Sequence, residues 1–302
     1  MKIGLLDIDG KNFPNLALMK IAAHHKAVGD SVEWYSMFGC FDIVYCSKVF
    51  TFTPDYQYPI NAKKIIKGGT GYDIDSKLPI EIENCNPDYS IYPNCNFSIQ
   101  YFSRGCINNC PFCIVPQKEG NIIPVNAMQF NPKGKYIEVL DNNFFANPLW
   151  REAVTCLNVT NQYVKLRGVD VRTMDKEKAI ALNSMKIKGY SICIAWDNPK
   201  ENILPNLKNM LKYVKNYKIT CYVLVGYWST LKEDLYRVEA LKKLGVEPFV
   251  LPYRDYENKR KLQQYEKDIA QWANQKELLK TCKFEKFKPR KGFECSQYFS
   301  KR

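Results

Sequence analysis

Three cysteines form the chemically most informative group in this sequence. Cys106, Cys110 and Cys113 follow one another in the order C-x3-C-x2-C. Three thiolates on one loop can hold three irons of a four-iron, four-sulfur cluster, which leaves one iron without a protein ligand. The spacing matches neither a pair of C-x2-C zinc knuckles nor a four-cysteine ferredoxin run. The group therefore favours an iron–sulfur centre with one vacant coordination position.

Phe112 immediately precedes the last of these cysteines, and the complete pattern resembles the signature of the radical S-adenosylmethionine (SAM) enzymes. The resemblance implies that the amino and carboxylate groups of SAM chelate the open iron. It also implies reductive cleavage of SAM to methionine and a 5′-deoxyadenosyl radical, which removes hydrogen from a substrate. The implied cofactors are one 4Fe-4S cluster and SAM, with Phe112 packed beside the cluster.

Other interpretations of the cysteines remain open. The three thiols could belong to a zinc site completed by a distant ligand, could be buried without any ligand role, or could form a redox disulfide. The chain contains twelve cysteines in all, and four of them precede the loop: Cys40, Cys46, Cys85 and Cys95. These four raise the question of an auxiliary cluster, for which free buried thiols are the alternative.

Asp141 and Asn142 follow an apolar, strand-like run that ends at Leu140. At this position the resemblance implies a group that accepts hydrogen bonds from the SAM amino group. The Gly-Gly-Glu-like motif of the superfamily is absent, so Asp141 and Asn142 are expected to replace it by position. An Asn-rich turn is the alternative.

A second polar group, Gly168, Asp170 and Arg172, follows the next strand-like run. Glycine permits close approach of the backbone, and residues two apart in an extended chain share a face. We expect Arg172 to hold the SAM carboxylate and Asp170 to order Arg172. A surface ion pair is the alternative.

Two later strand-like runs end in further candidates for SAM binding. Trp196 and Asp197 are a plausible pair for packing against adenine and for hydrogen bonding to ribose. Gly226 and Tyr227 follow the next run, where glycine again permits a ligand close to the main chain.

Apolar strand-like runs alternate with helical patterns through the middle of the chain. Each run ends in a glycine or a polar residue, and parallel strands bring such residues to one edge of a sheet. We predict an α/β protein in which residues 94–256 form a partial (β/α)6 barrel, the radical SAM core. The predicted strands are 97–102, 136–140, 163–166, 190–195, 219–225 and 246–251, and the clearest helices are 176–186, 202–214 and 231–244.

The first part of the chain shows a separate α/β pattern. Strand-like runs at 2–6, 31–35, 42–46 and 63–66 and a helical pattern at 14–28 predict a Rossmann-like domain over 1–80, followed by a connector over 81–93. The domain resembles the cobalamin-binding domain of one branch of radical SAM enzymes, but the Asp-x-His-x-x-Gly motif is missing. His24 and His25 are expected to be ordinary helix residues. The run Gly68 to Gly71 predicts a tight turn, with a site for phosphate or a cofactor tail as the alternative.

The chain carries a formal charge of +13 in 302 residues, and residues 255–302 contribute 13 Lys and Arg against 7 Asp and Glu. We predict a basic helical extension over 257–302, with a helix over 259–279, that caps the barrel or borders the substrate entrance. Such charge could attract nucleic acid, and a solvated basic face is the simpler interpretation. No secretory signal or membrane-spanning stretch is recognised, which predicts a cytoplasmic protein with reduced cysteines.

Further segments resemble motifs of a bacterial and prophage radical SAM group over nearly the whole chain. They are the runs 68–72, 87–93, 118–120 and 272–274. That group has no established substrate. The resemblance implies an enzyme acting on a small molecule, a nucleotide or a peptide, with an electron donor such as flavodoxin or ferredoxin. Two other functions stay open: a radical SAM enzyme that modifies tRNA or DNA, and a non-catalytic iron–sulfur binding or electron-transfer protein.

Overall fold

The computed structural model of the protein describes residues 1–10, 12–257 and 259–300. Two parallel sheets and their helices make a mixed α/β fold, which confirms the predicted fold class. Lys11 of the predicted N-terminal domain lies outside the described residues, as do Asn258, Lys301 and Arg302 of the predicted extension. No helix within the described residues is long and apolar enough to cross a lipid bilayer.

The first sheet has four parallel strands in the order β2-β1-β3-β4. The elements of this part are β1 (Lys2–Asp7), α1 (Leu16–Ala27), β2 (Ser31–Trp34), β3 (Phe41–Ser47), β4 (Ala62–Gly68) and α2 (Ile80–Glu83). Asn15 caps α1 by accepting a hydrogen bond from the amide of Leu18 at 3.2 Å, which satisfies one of the unpaired amides of the first helical turn. The sequence predicted all four strands to within two residues at each end.

Backbone packing explains the glycine run that follows β4. Gly69 has a φ of +96°, and a Cβ atom there would lie 2.4 Å from the carbonyl oxygen of Lys48. The carbonyl oxygen of Thr70 accepts a hydrogen bond of 2.5 Å from the hydroxyl of Tyr256, far along the chain. These contacts fit the tight-turn interpretation of the run.

The second sheet has six parallel strands in the order β12-β11-β10-β9-β8-β5. Its strands are β5 (Phe97–Gln100), β8 (Tyr136–Val139), β9 (Tyr163–Leu166), β10 (Ile192–Ala195), β11 (Ile219–Val225) and β12 (Glu247–Pro252). A short antiparallel hairpin of β6 (Ser103–Arg104) and β7 (Ile123–Pro124), which the sequence did not predict, follows β5 and carries the cysteine loop between its strands. The predicted strand 97–102 is therefore too long, because the chain leaves the sheet after Gln100.

Helices connect the later strands of this sheet. They are α3 (Val115–Lys118), α4 (Trp150–Val159), α5 (Lys176–Ser184), α6 (Leu204–Met210), α7 (Leu231–Lys243), α8 (Gln264–Ala273) and α9 (Lys276–Thr281). Paired residues on β8 and β9, on β10 and β11, and on β11 and β12 are 27 positions apart in the sequence. The strand–helix unit thus repeats with a nearly constant length.

The six-stranded sheet has one apolar face and one polar face. Ile137, Val164 and Ile194 are almost fully buried in the main hydrophobic core, which also contains apolar residues of the surrounding helices. Because side chains alternate along a strand, Glu138 and Lys165 lie on the opposite face, where they form an ion pair at 2.9 Å. Parallel sheets are usually apolar on both faces, so the polar face marks a place where this sheet departs from ordinary core packing.

The predicted helix over 259–279 is wrong, since the structure has two shorter helices, α8 and α9, in this region. The chain turns at Asn274, whose side chain accepts a hydrogen bond of 2.7 Å from the amide of Val250 and donates one of 3.0 Å to its carbonyl oxygen. The amide side chain pairs with β12 as a neighbouring strand would. It therefore covers an edge that would otherwise present unpaired backbone groups.

An apolar cluster joins the two sheets. Met19 of α1 and Ile99 of β5 are fully buried in it, together with Tyr92 and Cys95 from the segment between the sheets. The hydroxyl of Tyr92 also donates a hydrogen bond of 2.9 Å to the carboxylate of Asp7. Helix α1 of the first part is therefore packed against β5 of the second sheet.

Arg237 and Asp234 of α7 form an ion pair with both side chains 0% exposed. Arg237 also donates hydrogen bonds to the carbonyl oxygens of Trp196 at 2.6 Å and Leu224 at 2.8 Å, which ties together the carboxyl ends of β10 and β11. Asp234→Ala is expected to lower the free energy of unfolding by about 3–5 kcal/mol, because the guanidinium would be buried without a counter-charge. Denaturant unfolding followed by circular dichroism measures this loss.

The matched control is Glu177→Ala, which breaks the ion pair between Arg151 and Glu177, where both side chains are 59% exposed. Exposed pairs contribute little because water screens them, so this variant is expected to unfold nearly like the parent. Similar losses in the two variants would contradict the role assigned to the buried pair.

Candidate functional site

A cavity of about 430 Å³ lies where the cysteine loop meets the carboxyl ends of β8 to β11. Nine residues singled out from the sequence line it: Cys106, Cys110, Phe112, Cys113, Asn142, Gly168, Asp170, Arg172 and Asp197. The other four do not: Asp141, Trp196, Gly226 and Tyr227. The three loop cysteines thus share one cavity with the polar groups that follow three neighbouring strands.

Glu119 holds the base of the cysteine loop. Its carboxylate accepts hydrogen bonds from the amide of Gly105 at 2.8 Å, the guanidinium of Arg104 at 2.7 Å and the side-chain amide of Asn142 at 2.9 Å. Gly105 has a φ of +80°, and a Cβ atom there would lie 2.2 Å from the carbonyl oxygen of Asn121. Only glycine fits this position. Glu119, which the sequence analysis named only as part of the run 118–120 and not as a site residue, fixes where the cysteine loop begins.

Asp141 anchors the segment before the loop. Its carboxylate is 1% exposed and accepts hydrogen bonds from the amide of Phe102 at 2.9 Å and the hydroxyl of Ser103. Burial raises the pKa of Asp141 in spite of these hydrogen bonds. Both carboxylate oxygens are used by protein groups outside the cavity wall, so the predicted contact between Asp141 and SAM stays a prediction.

The environment of the three cysteines is partly apolar. Burial raises the pKa of the Cys110 and Cys113 thiols, and nearby Arg172 acts in the opposite direction at Cys110. The amide of Asn108 donates to the sulfur of Cys106 at 3.4 Å, which is the kind of contact that stabilises a thiolate ligand. Among residues 1–10, 12–257 and 259–300, no group of three or more His, Cys, Asp or Glu residues could hold a metal ion.

Asp170 and Arg172 are paired, as the sequence predicted. The guanidinium of Arg172 donates from Nε at 2.8 Å and from Nη2 at 2.9 Å to the two oxygens of Asp170, and from Nη1 at 3.2 Å to Glu201. Asp170 also accepts a hydrogen bond of 2.9 Å from the side chain of Asn108 in the cysteine loop. Although burial alone would raise the pKa of Asp170, the bonds from Arg172 and Asn108 lower it. Asp170 and Arg172 therefore form an ion pair that also holds the cysteine loop through Asn108, which a simple surface ion pair would not do.

Gly168 and Asn143 make the part of the wall between β8 and β9. A Cβ atom on Gly168 would lie 2.1 Å from the carbonyl oxygen of Asp141, so only glycine lets these two strand ends approach. Asn143 is 1% exposed, and its Oδ1 atom has no hydrogen-bond partner in the part of the chain that the structure describes. A buried acceptor without a protein donor is costly, and in a cavity wall it is available to a hydrogen-bond donor that enters the cavity. The sequence interpretation placed Asn143 in an Asn-rich turn and did not single it out.

Trp196 and Gly226 serve the fold at their positions. Trp196 is 2% exposed in the main core, and its indole donates to the carbonyl oxygen of Glu201 at 2.7 Å. Gly226 has a φ of +79° and allows close approach, but the groups that approach it are the carboxylate of Glu266 and the guanidinium of Arg260. The close contact expected of Gly226 is thus made by protein side chains.

Aromatic rings flank the cavity on the side of Phe112. The ring centre of Phe112 lies 5.5 Å from that of Tyr227 and 5.9 Å from that of Trp228. Trp228 lines the cavity, whereas Tyr227 stands behind it against Tyr253, with ring centres 4.6 Å apart. Tyr227 therefore positions Phe112 in this structure, and Trp228 is an additional candidate for contact with a ligand.

The polar face of the sheet supplies a further part of the wall that the sequence interpretation missed. Arg167, Cys193 and Tyr222 line the cavity from β9, β10 and β11. Arg167 is held by two hydrogen bonds to Glu138, at 2.7 and 3.1 Å, and reaches the sulfur of Cys193 at 3.7 Å. The alternation of side chains along the strands could have revealed these three residues. Each of them lies two positions from another polar residue of its own strand, or opposite a polar residue of the neighbouring strand.

No family model matches this chain, and no curated protein matches it. Its function therefore has to be inferred from the cavity and the residues around it.

Asp197 gives this cavity a testable dependence on pH. Burial raises the pKa of its carboxyl to about 6, although Arg237 and Arg172 act to lower it. Because the folded-state pKa lies above the value of about 3.9 in the unfolded chain, ionised Asp197 destabilises the fold as pH rises from about 4 through 6. Asp197→Asn is expected to raise the free energy of unfolding by about 3 kcal/mol at pH above 7.

Denaturant unfolding at pH 4 and at pH 7.5 measures this effect, with the exposed Asp75→Asn as the control. The gain in Asp197→Asn is expected to disappear at the lower pH, where the parent carboxyl is also neutral. A gain of equal size at both pH values would show that ionisation of Asp197 is not its cause.

Proposed function

We propose that this chain is a radical SAM enzyme that holds a 4Fe-4S cluster on Cys106, Cys110 and Cys113 and binds SAM in the adjoining cavity. The chemistry supplied by these bound groups would be one-electron cleavage of SAM to methionine and a 5′-deoxyadenosyl radical, which removes a hydrogen atom from a substrate that is not identified. The observation that carries the proposal is the position of all three cysteines of the C-x3-C-x2-C loop on the same cavity.

The donor set fits a cluster better than a single ion. A mononuclear zinc site gathers its sulfur ligands about 2.3 Å from one metal, usually from paired C-x2-C knuckles that this loop lacks. In a four-iron cluster each cysteine binds a different iron, so the sulfurs need not converge on one point. Amide hydrogen bonds to sulfur, as at Cys106 and at Cys113 (3.4 Å from the amide of Val115), also suit cluster ligands.

The topology supports the finer description of the fold. A six-stranded parallel sheet whose apolar face packs in one core with the connecting helices supports the interpretation as a partial (β/α)6 barrel. The four-stranded parallel sheet, with α1 between β1 and β2, supports the Rossmann-like and cobalamin-domain-like interpretation of residues 1–80. In this proposal the second sheet provides the radical SAM core.

Groups on the cavity wall match the polar ends of SAM. The unpaired Oδ1 of Asn143 can accept a hydrogen bond from the amino group. Arg172 keeps one hydrogen on each terminal nitrogen beyond those given to Asp170 and Glu201, and these can bind the carboxylate. A cavity of about 430 Å³ is within the range of small-molecule sites.

The remaining wall supports a place for substrate. Arg167, Cys193 and Tyr222 lie on the polar face of the sheet and are not needed for cluster or SAM in this proposal. A small molecule, a nucleotide or a peptide end could contact them. The electron would come from a donor such as flavodoxin or ferredoxin. The twelve cysteines are all free thiols, which supports a reducing, cytoplasmic setting.

Replacement of the three loop cysteines by Ala is expected to abolish iron binding and SAM cleavage. Anaerobic reconstitution with iron and sulfide should load the parent with about four irons per chain and produce visible absorbance, and the variant with neither. Added SAM and reductant should give 5′-deoxyadenosine only in the parent. The control replaces three half-buried cysteines outside the loop, Cys85, Cys156 and Cys282, and should keep the iron. Retained iron and cleavage in the loop variant would refute the proposal.

Asn143 and Asn147 form a matched pair, since both are 1% exposed. Asn143→Ala removes an acceptor that has no partner and only one long hydrogen bond, of 3.4 Å from its amide nitrogen to Asp170, so it should change stability little. It should weaken SAM binding by about 2- to 12-fold. Asn147 donates to the carbonyl oxygen of Phe102 at 2.8 Å, so Asn147→Ala should instead cost about 1–3 kcal/mol of stability.

Calorimetric titration of the reconstituted protein with SAM, without reductant, measures the affinity, and denaturant unfolding measures stability. If Asn143→Ala binds SAM like the parent, Asn143 does not contact SAM. If it unfolds as easily as Asn147→Ala, the side chain of Asn143, which donates to Asp170 at 3.4 Å, serves the fold and not a ligand.

A further inference from the structure

The strands of the six-stranded sheet begin at an edge that lies opposite the cavity. β11 has seven residues, so the two ends of this strand are roughly 20 Å apart. The loops that lead into β10 and β11 at this edge, residues 184–191 and 211–219, contain five lysines and no Asp or Glu. The edge is therefore a local concentration of positive charge.

These five lysines have no carboxylate partners among the described residues. Lys186, Lys188, Lys212 and Lys215 are exposed, and none of them, nor Lys218, forms an ion pair with any residue that the structure describes. Elsewhere the chain does pair exposed lysines, as in the contact between Lys63 and Asp42 at 2.7 Å. Unpaired cations on neighbouring loops repel one another, so an anionic partner would stabilise this edge.

Exposed tyrosines stand among the lysines. Tyr190 is 45% exposed and Tyr217 is 52% exposed, and the amide of Tyr190 donates to the carbonyl oxygen of Tyr217 at 2.9 Å. Lys188 lies 4.1 Å from the ring centre of Tyr163. Lys276 of α9, which also pairs with Glu247 at 3.5 Å, lies 3.3 Å from the ring centre of Tyr190. Rings and ammonium groups thus alternate across one continuous surface, here called the lysine–tyrosine edge.

Tyr190 occupies its position at a conformational cost. Its φ is +58°, in the left-handed region that favours glycine and disfavours bulky side chains. Its large exposure means that packing contributes little in return. A strained and exposed aromatic ring is better explained by contact with a partner than by the stability of the fold.

We propose that the lysine–tyrosine edge binds single-stranded nucleic acid. Lysine ammonium groups would contact successive phosphates, and the exposed rings of Tyr190 and Tyr217 would stack with unpaired bases. A lipid surface or a simple polyanion would use the charge but not the rings. The bound nucleic acid would lie away from the cavity. This surface would therefore tether the protein to nucleic acid, and the nucleic acid need not be the substrate that enters the cavity.

Fluorescence anisotropy tests the proposal with the full chain and labelled oligouridylate and oligothymidylate of about 20 nucleotides, between about 50 and 200 mM salt. Replacement of Lys186, Lys188 and Lys215 by Ala should reduce the slope of log affinity against log salt by about 2, because each phosphate contact on a single strand contributes about 0.7. The control replaces three exposed lysines outside the edge, Lys64, Lys77 and Lys232, and should keep the parent slope.

Tyr190→Gly separates stacking from charge and from folding. It should weaken binding of at least one oligonucleotide by about five-fold or more, the loss expected for one stacked base. Its thermal stability should equal or exceed that of the parent, because glycine adopts φ near +58° without strain.

Heparin and vesicles of anionic lipid serve as charge-only probes. The proposal is supported if the protein binds the single-stranded oligonucleotide more tightly than these probes. It further requires that both the triple lysine variant of the edge and Tyr190→Gly lose this binding. Absence of oligonucleotide binding, or a loss in the control variant equal to that in the edge variant, would overturn it. The same holds if Tyr190→Gly leaves affinity unchanged while heparin or vesicles bind as tightly as the single strand.

Discussion

The alternation of side chains along the six parallel strands is the constraint on which the rest of the structure depends. One set of residues is buried against the helices and forms the main core. The other set has to face away from that core, and here it is polar, with Glu138 held between Lys165 and Arg167. Because the polar face leads directly to the strand ends, the fold brings the cavity wall and the cysteine loop together without a separate binding domain.

Carboxylates in and behind the cavity wall give the loop its fixed position. Glu119, Asp141 and Asp170 each accept hydrogen bonds from a different part of the chain and hold, respectively, the base of the loop, the segment before it and the side chain of Asn108. Charged groups placed this way are expensive to bury unless fully hydrogen-bonded. Their arrangement indicates a loop that is held in place before any ligand arrives.

Sequence patterns predicted most strands well because each is a short apolar run with polar ends. Sequence patterns were less successful where tertiary contacts decide the role of a residue. Gly226 and Gly168 look alike in the sequence, yet one is approached by Glu266 and the other by a neighbouring strand end at the cavity. Trp196 and Asp197 are adjacent, but alternation directs the tryptophan into the core and leaves the aspartate at the cavity.

Other misses have the same origin. The helix predicted over 259–279 is divided because the side chain of Asn274 pairs with β12, a contact between segments 24 positions apart. Asn143 was not recognised as special because an unpaired oxygen is a property of three-dimensional packing and has no local sequence signal. The 27-residue interval could have helped, since Asn143, Asp170 and Asp197 follow it.

The apolar cluster between the two sheets has a consequence for how such a protein can be inherited. Ile99 of β5 is covered by Met19 of α1, so a gene fragment encoding only the six-stranded part would leave this strand with a bare hydrophobic surface. Recombination that exchanged one half for an unrelated module would have to rebuild that contact. The two halves of the chain are therefore expected to be inherited together.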